Sequence, residues 1–152
     1  MYTECMIHFL SVLRTVFGIA VGIFVGSLCN MGIGFANTLI FPMPEGISFS
    51  DAFNEETKQA VLDWIGSLPQ TAFILVLLAH LSQAFVGGLI AGLISKNHVR
   101  VAAMVVGCVT LLGGVMNMMT VPAPVWLWIE MPLYLVCAWW AGGLASSFKS
   151  VQ

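Results

Sequence analysis

Four stretches of this chain are each long and apolar enough to cross a membrane as a helix. Their predicted bounds are residues 15–41, 70–95, 101–121 and 125–148. The hydrocarbon core of a bilayer is about 30 Å thick, and a helix that rises 1.5 Å per residue needs about 20 apolar residues to cross it. The sequence therefore predicts an all-α membrane protein, a four-transmembrane-helix bundle that forms a single domain over residues 1–152.

The composition excludes a soluble domain. Hydrophobic residues make up 59% of the chain and charged residues only 8%, whereas a soluble domain carries about 25% charged residues. The net charge of −2 gives no reason to expect a nucleic-acid partner. We expect the lipid bilayer to be the main partner, and a homo-oligomer or another membrane protein stays an open alternative.

Each predicted span carries small or polar residues along one face and large apolar residues elsewhere. On the second span this face follows i, i+3, i+4, i+7 spacing from His80 to Ser95, so its members lie on one side of a helix. Membrane helices use such faces to approach their neighbours closely. Eight glycines are predicted to hold the helices together: Gly18, Gly22, Gly26, Gly87, Gly88, Gly92, Gly107 and Gly114.

The region between the first two spans is acidic and is predicted to contain an amphipathic helix over about residues 51–65. Ser50 can cap this helix, and Pro69 follows it. Such a helix would lie on the outer membrane surface or over the bundle.

Residues 1–14 precede the first span, and an unbroken helix from there to residue 41 would be far longer than the membrane core. We therefore expect a bend or a separate piece lying on the surface.

The positive charges predict an orientation. Arg14, Lys96, Arg100 and Lys149 lie on one side of a four-span topology, and Lys58 lies on the other. Cytoplasmic loops carry the excess of Lys and Arg. We therefore expect both termini in the cytoplasm and the acidic loop outside.

Polar side chains from all four spans are predicted to meet in the outer half of the membrane. Asn37 and Asn117 each lie five residues before a proline, and Glu130 lies six after one, which places all three roughly 7–9 Å below the outer surface. His80 lies nearer the midplane. The candidate ligand-binding or proton-relay residues are Glu130, His80, Asn37, Asn117, Gln83, Asn30 and Tyr134.

Two interpretations of this cluster stay open. It could be a pocket or proton relay open to the outer side, in which Glu130 and His80 exchange a proton or hold a polar ligand. Alternatively, the side chains could bond one another and fasten the helices, each bond contributing about 1 kcal/mol.

No catalytic residue, metal site or cofactor is predicted. The four cysteines fall in different hydrophobic segments and form no C-x-x-C pair, which argues against a redox dithiol or a structural metal site. A bis-histidine haem needs two facing intramembrane histidines, and only His80 is placed for that role.

The C-terminal third, NMMTVPAPVWLWIEMPLYLVCAWWAGGLA, resembles an uncharacterised family of small bacterial four-helix integral membrane proteins. The shared features are the P-x-P-x-W turn, the small residues that follow aromatic ones in the last helix, the Ser67-Leu68-Pro69 loop end and the Gly87-Gly88 pair. Members often carry an acidic or histidine residue late in the first helix, where this chain has Asn30 and Asn37. The resemblance implies a bacterial inner membrane and supplies no activity.

Sequence alone thus predicts a membrane protein whose molecular role is not defined by a motif. We favour a structural or accessory bundle over an enzyme. The alternative is a small permease, or a membrane protein that binds a small molecule or lipid through the outward-facing polar cluster.

Overall fold

The computed structural model describes residues 2–48, 51 and 54–150. This part of the chain is helical and contains no strand, and four of its helical segments are long and apolar enough to cross a membrane. The prediction of an all-helical protein with four apolar spans is confirmed. The helices are α1 (Tyr2–Ile40), α2 (Lys58–Ser67), α3 (Gln70–Ile94), α4 (Val99–Thr120), a 3-10 helix (Val125–Ile129) and α5 (Glu130–Ser150).

The first helix begins earlier than the sequence suggested. α1 is one continuous helix of 39 residues from Tyr2 to Ile40, so the predicted separate surface piece at residues 1–14 is wrong. No proline occurs before Pro42, and nothing therefore removes a backbone hydrogen bond inside α1. At 1.5 Å per residue the helix is about 58 Å long, nearly twice the hydrocarbon core.

The loop helix begins later than predicted, at Lys58 instead of near Asp51. The side-chain oxygen of Asp51 accepts hydrogen bonds from the hydroxyl and backbone N–H of Ser48, at 2.8 and 2.6 Å. These two bonds hold the pKa of Asp51 below its usual value. Asn54 likewise accepts from the backbone of Glu56. A bond from a backbone N–H to a side chain three residues later is typical of a helix N-terminus, and Asp51 lies in a 3-10 turn that ends before α2; the proposed cap, Ser50, lies outside the described residues.

The last span is not one helix from residue 125. A 3-10 helix over Val125–Ile129 follows Pro124, and α5 begins only at Glu130. Pro132 lies in the first turn of α5, where its missing N–H is not needed. The proline therefore fixes where the α-helix begins.

Glycines bring the antiparallel helices α1 and α3 into backbone contact. A Cβ added to Gly26 would lie 2.6 Å from the Gln83 carbonyl oxygen, and one added to Gly87 would lie 2.7 Å from that of Gly22. Gly18 makes the same kind of contact with Ala91. Because carbon atoms do not approach carbonyl oxygens so closely, only glycine allows these backbones to meet.

The other side of α3 packs against α5 and α4 through small residues. Gly92 lies against Ala145, and Gly88 faces Ala141. Between α4 and α5, a Cβ on Gly107 would lie 2.5 Å from that of Ala138. Gly114 lies against the ring of Tyr134. Since α3 contacts α1, α4 and α5, it is the central helix of the structure.

Cations from two other helices bind the C-terminal end of α3. The Arg14 Nε donates to the Ile94 carbonyl at 2.5 Å. The Lys149 Nζ donates to the carbonyls of Gly92, at 2.9 Å, and of Ser95. Helix C-termini carry unpaired carbonyls and partial negative charge. These bonds therefore place the basic residues of α1 and α5 at the same end of the molecule.

Replacing Gly22 by alanine is expected to lower the free energy of unfolding by about 1–3 kcal/mol, because the new Cβ meets backbone of α3 that cannot move aside. Gly32→Ala on the same helix is the control, since nothing lies within 4 Å of that position, and it should change stability by less than about 0.5 kcal/mol. Unfolding measured in detergent micelles checks both. Equal stability of the two variants would contradict the close contact.

Candidate functional site

A buried carboxylate and a histidine are paired between α5 and α3. The Glu130 Oε2 lies 2.9 Å from the His80 Nδ1. Glu130 is fully buried, and the His80 side chain is 16% exposed. Glu130 stands in the first turn of α5, where the positive end of the helix dipole favours a carboxylate. The pair therefore joins the start of α5 to the middle of α3.

The pairing orients the histidine ring. With Nδ1 facing the carboxylate, the proton of the neutral ring lies on Nδ1 and the lone pair on Nε2. In the part of the chain that the structure describes, no side chain or backbone group bonds Nε2 of His80. Because His80 lines a cavity, this arrangement offers a proton acceptor to whatever occupies the cavity.

Tyr134 lies one turn after Glu130 and is buried. Its ring centroid is 6.4 Å from that of His80. The ring and hydroxyl lie where a side chain on Gly114 would otherwise stand. Tyr134 therefore closes the side of the cavity that faces α5.

An inner cavity of about 380 Å³ lies between the four spans. Every one of these helices contributes a polar side chain to its wall. The lining residues are Asn30, His80, Gln83, Val109, Thr110, Gly113, Gly114, Asn117 and Tyr134. Polar walls are costly in lipid unless they bond one another, water or a ligand.

Amide side chains connect α1 to α3 on one wall of the inner cavity. The Asn30 Nδ2 donates to the Gln83 Oε1 at 2.7 Å, and the Gln83 Nε2 reaches the Ser27 hydroxyl at 3.4 Å. The Thr110 hydroxyl donates to the Val106 carbonyl on its own helix. The amide chain is thus the part of the cluster that matches the helix-fastening interpretation.

An outer cavity of about 210 Å³ adjoins the inner one, because Asn117 lines both. Its walls are mostly apolar; α2 contributes Trp64 and Ile65 to them, and Leu68 follows directly after α2. The lining residues are Gly34, Asn37, Thr38, Trp64, Ile65, Leu68, Phe73, Val76, Asn117, Val121, Ala123 and Leu127. Asn37 is buried, and its Oδ1 has no hydrogen-bond partner among the described residues.

The structure distributes the seven candidate residues over three places. Glu130 lies behind the inner cavity and bonds His80, whereas Asn30, Gln83, Asn117 and Tyr134 line the cavity itself. Asn37 lines the outer cavity and is not part of the inner wall.

Sequence reasoning did not select Ser27, Thr110, Trp64 or Phe73 as site residues. Thr110 lies on the small and polar face of its helix, so the sequence pattern contained a signal for it. Trp64 and Phe73 look like ordinary apolar residues, and only the way α2 lies over the outer cavity shows their role.

The described residues contain no group of three or more His, Cys, Asp and Glu side chains arranged to hold a metal ion. The cysteines at positions 5, 29, 108 and 137 are free. Comparison with protein-family models, curated proteins and solved structures found no match.

Replacing His80 alone and replacing both members of the pair should have opposite effects. His80→Leu leaves a buried carboxylate without its partner and is expected to lower the free energy of unfolding by about 3–5 kcal/mol. The double variant His80→Leu/Glu130→Leu should be as stable as the wild type or more stable by up to about 4 kcal/mol. Thermal and denaturant unfolding of both variants in the same detergent checks this. A double variant less stable than the single one would mean that the pair mainly fastens α3 to α5.

Proposed function

We propose that this chain is an integral membrane protein that binds a small molecule in the two adjoining cavities, as a permease or a ligand-binding protein. The observation that carries the proposal is the fully buried Glu130 paired with His80, which lines the inner cavity. Removing two ionisable groups from water is expensive, and a buried pair often stabilises no more than apolar residues of the same size. Intramembrane ionisable groups are therefore more typical of binding sites and proton pathways.

The two cavities differ in a way that suits ligand binding. The inner wall is polar, and the outer wall, under α2, is mostly apolar with the aromatic side chains of Trp64 and Phe73. Binding sites for small molecules usually combine apolar walls with a few placed polar groups. Because the outer cavity lies at the ends of α1 and α4 beneath α2, it supplies a route toward the inner one.

A structural or accessory role is the second candidate, and one observation favours it. Gly32 on α1 is exposed, and no atom lies within 4 Å of the position that its Cβ would take. Ala36, one turn later, is also exposed. Small residues at this spacing let another helix approach, so a second copy or another membrane protein has room to pack there.

For the location, we propose a bacterial inner membrane with both termini in the cytoplasm. The support is the positive-inside bias together with the position of Arg14 and Lys149 at the end of α3. The acidic region between α1 and α3, and with it the outer cavity, then faces away from the cytoplasm.

The orientation predicts which added cysteines react in intact cells. In a background with all four native cysteines replaced by alanine, Glu55→Cys should react with a membrane-impermeant maleimide without permeabilisation. Asn97→Cys, in the short loop after α3, should react only after the membrane is permeabilised. The opposite pattern would reverse the proposed orientation.

The binding role predicts that water-soluble reagents reach the inner cavity. Gly113 lines this cavity at an exposed position with open space around it, so Gly113→Cys in the same background should react with a small cationic methanethiosulfonate if water fills the cavity. Leu112→Cys is the matched control: it is the neighbouring residue, and its side chain is 62% exposed on the apolar surface. A lipid-facing thiol stays largely unionised and unreactive. If Gly113→Cys reacts no faster than Leu112→Cys, the cavity is closed to water and the proposed function is wrong.

A further inference from the structure

The wall of the outer cavity carries no charge. None of the described residues that line it is titratable, and its polar side chains are those of Asn37, Thr38 and Asn117. A charged ligand in this cavity would lie among apolar side chains without a counter-charge, which is strongly unfavourable inside a membrane. The outer cavity is therefore suited to an uncharged molecule.

Two amide side chains that line this cavity have no partner among the described residues. Asn37 on α1 is 7% exposed, and its Oδ1 is a buried oxygen without a hydrogen bond. The side chain of Asn117 on α4 likewise makes no bond to another residue in the described part of the chain. The Thr38 hydroxyl, by contrast, donates to the Phe35 carbonyl on its own helix at 2.8 Å. Since buried polar groups in native structures are almost always paired, the two amides need a polar partner.

The Asn37 amide presents a hydrogen-bond acceptor and a donor side by side. A ligand group that both donates and accepts therefore pairs with Asn37 whichever way the amide is turned. Water also donates and accepts, but most of this wall is apolar, and cavities with apolar walls stay dry. The partner that suits the whole wall is thus the polar group of a molecule whose remaining part is apolar.

The volume and the aromatic walls of the cavity limit the apolar part of the ligand. The cavity measures about 210 Å³, whereas a cavity of about 150 Å³ holds a benzene ring. Trp64 on α2 and Phe73 on α3 supply aromatic surface to the wall, and aromatic side chains bind flat rings by offset stacking or edge contacts. One ring that carries a small polar group therefore fits the space.

We propose that the outer cavity binds an uncharged molecule of about one ring in size, whose polar group donates and accepts hydrogen bonds at Asn37. This inference rests on the proposed function and specifies its ligand. The ring lies against the aromatic side chains of Trp64 and Phe73. Asn117, which also lines the inner cavity, supplies the second amide. An aryl carboxamide is the simplest compound that meets these conditions.

The test compares four probes that share one ring and a planar polar group of the same size. Benzamide is uncharged and both donates and accepts, acetophenone only accepts, benzoate is an anion, and benzamidinium is a cation. On the unchanged protein in phosphatidylcholine nanodiscs, benzamide should bind at least about tenfold more tightly than each of the others. Acetophenone leaves the Asn37 oxygen unpaired, and the two ions find no counter-charge. Saturation-transfer NMR titrations measure the four dissociation constants, with empty nanodiscs as the blank.

A substitution at Asn37 locates the polar group of the ligand. Asn37→Leu removes the amide at similar volume, so benzamide and acetophenone should bind to this variant within about twofold of each other. Thr38→Val is the matched control, because Thr38 lines the same cavity and its hydroxyl is already bonded within α1. This control should keep the difference between the two probes. Size-exclusion profiles show that each variant is folded, and the probe series on the unchanged chain does not depend on them.

A substitution on α2 tests where the ring lies. Trp64→Leu removes aromatic surface from the cavity wall and leaves Asn37 in place. It should weaken the binding of benzamide and acetophenone by the same factor, about threefold or more, so that their ratio is kept. Unchanged affinity for both probes would contradict the proposed position of the ring.

Four results would overturn the inference and leave the proposed function in place. Three of them are acetophenone binding as tightly as benzamide, either ion binding as tightly as benzamide, and a preference for benzamide that persists in Asn37→Leu. The fourth is binding of none of the probes, which is expected if only water occupies the cavity. Labelling of Gly113→Cys tests the proposed function separately, because that thiol reports on water in the inner cavity.

Discussion

The backbone contact between α1 and α3 is the constraint on which the rest of this structure depends. In lipid, the hydrophobic effect does not drive apolar helix surfaces together, because the lipid tails are equally apolar. The helices must therefore be held together by close van der Waals packing. Gly22, Gly26 and Gly87 let the two backbones touch. One turn beyond this contact, Asn30 and Gln83 are near enough to share a 2.7 Å hydrogen bond. The polar wall of the inner cavity is therefore a consequence of glycine packing.

Glycine residues also line the two cavities. Gly34 on α1 and Gly113 on α4 line the cavities, and no atom lies within 4 Å of the position of a Cβ on either. Near the acidic loop, side chains therefore leave space between α1 and α4. At the other end of these helices, Ile19 and Ile23 pack against Ala102 and Val106. The helices α1 and α4 are thus packed together at one end and separated by the cavities at the other.

The sequence predicted the spans and their small-residue faces, because helical periodicity needs no tertiary information. It grouped Glu130 with His80 in one polar cluster but placed His80 nearer the midplane than Glu130. Counting residues at 1.5 Å each placed Glu130 level with Asn37 and Asn117, but Val125–Ile129 forms a 3-10 helix, which rises about 2 Å per residue and carries Glu130 deeper. The start of α2 was also missed, since side-chain bonds of Asp51 and Asn54 to the backbone depend on conformations that composition does not reveal.

The cations on the last turn of α3 have a consequence for the order of assembly. Arg14 precedes α3 in the chain and reaches Ile94, whereas Lys149 follows Ser95 by 54 residues and reaches the carbonyls of Gly92 and Ser95. During synthesis, the α1–α3 hairpin can satisfy only part of this helix end. The remaining carbonyls are hydrated until α5 has been inserted. Binding of Lys149 to these carbonyls therefore requires that all four spans are in place.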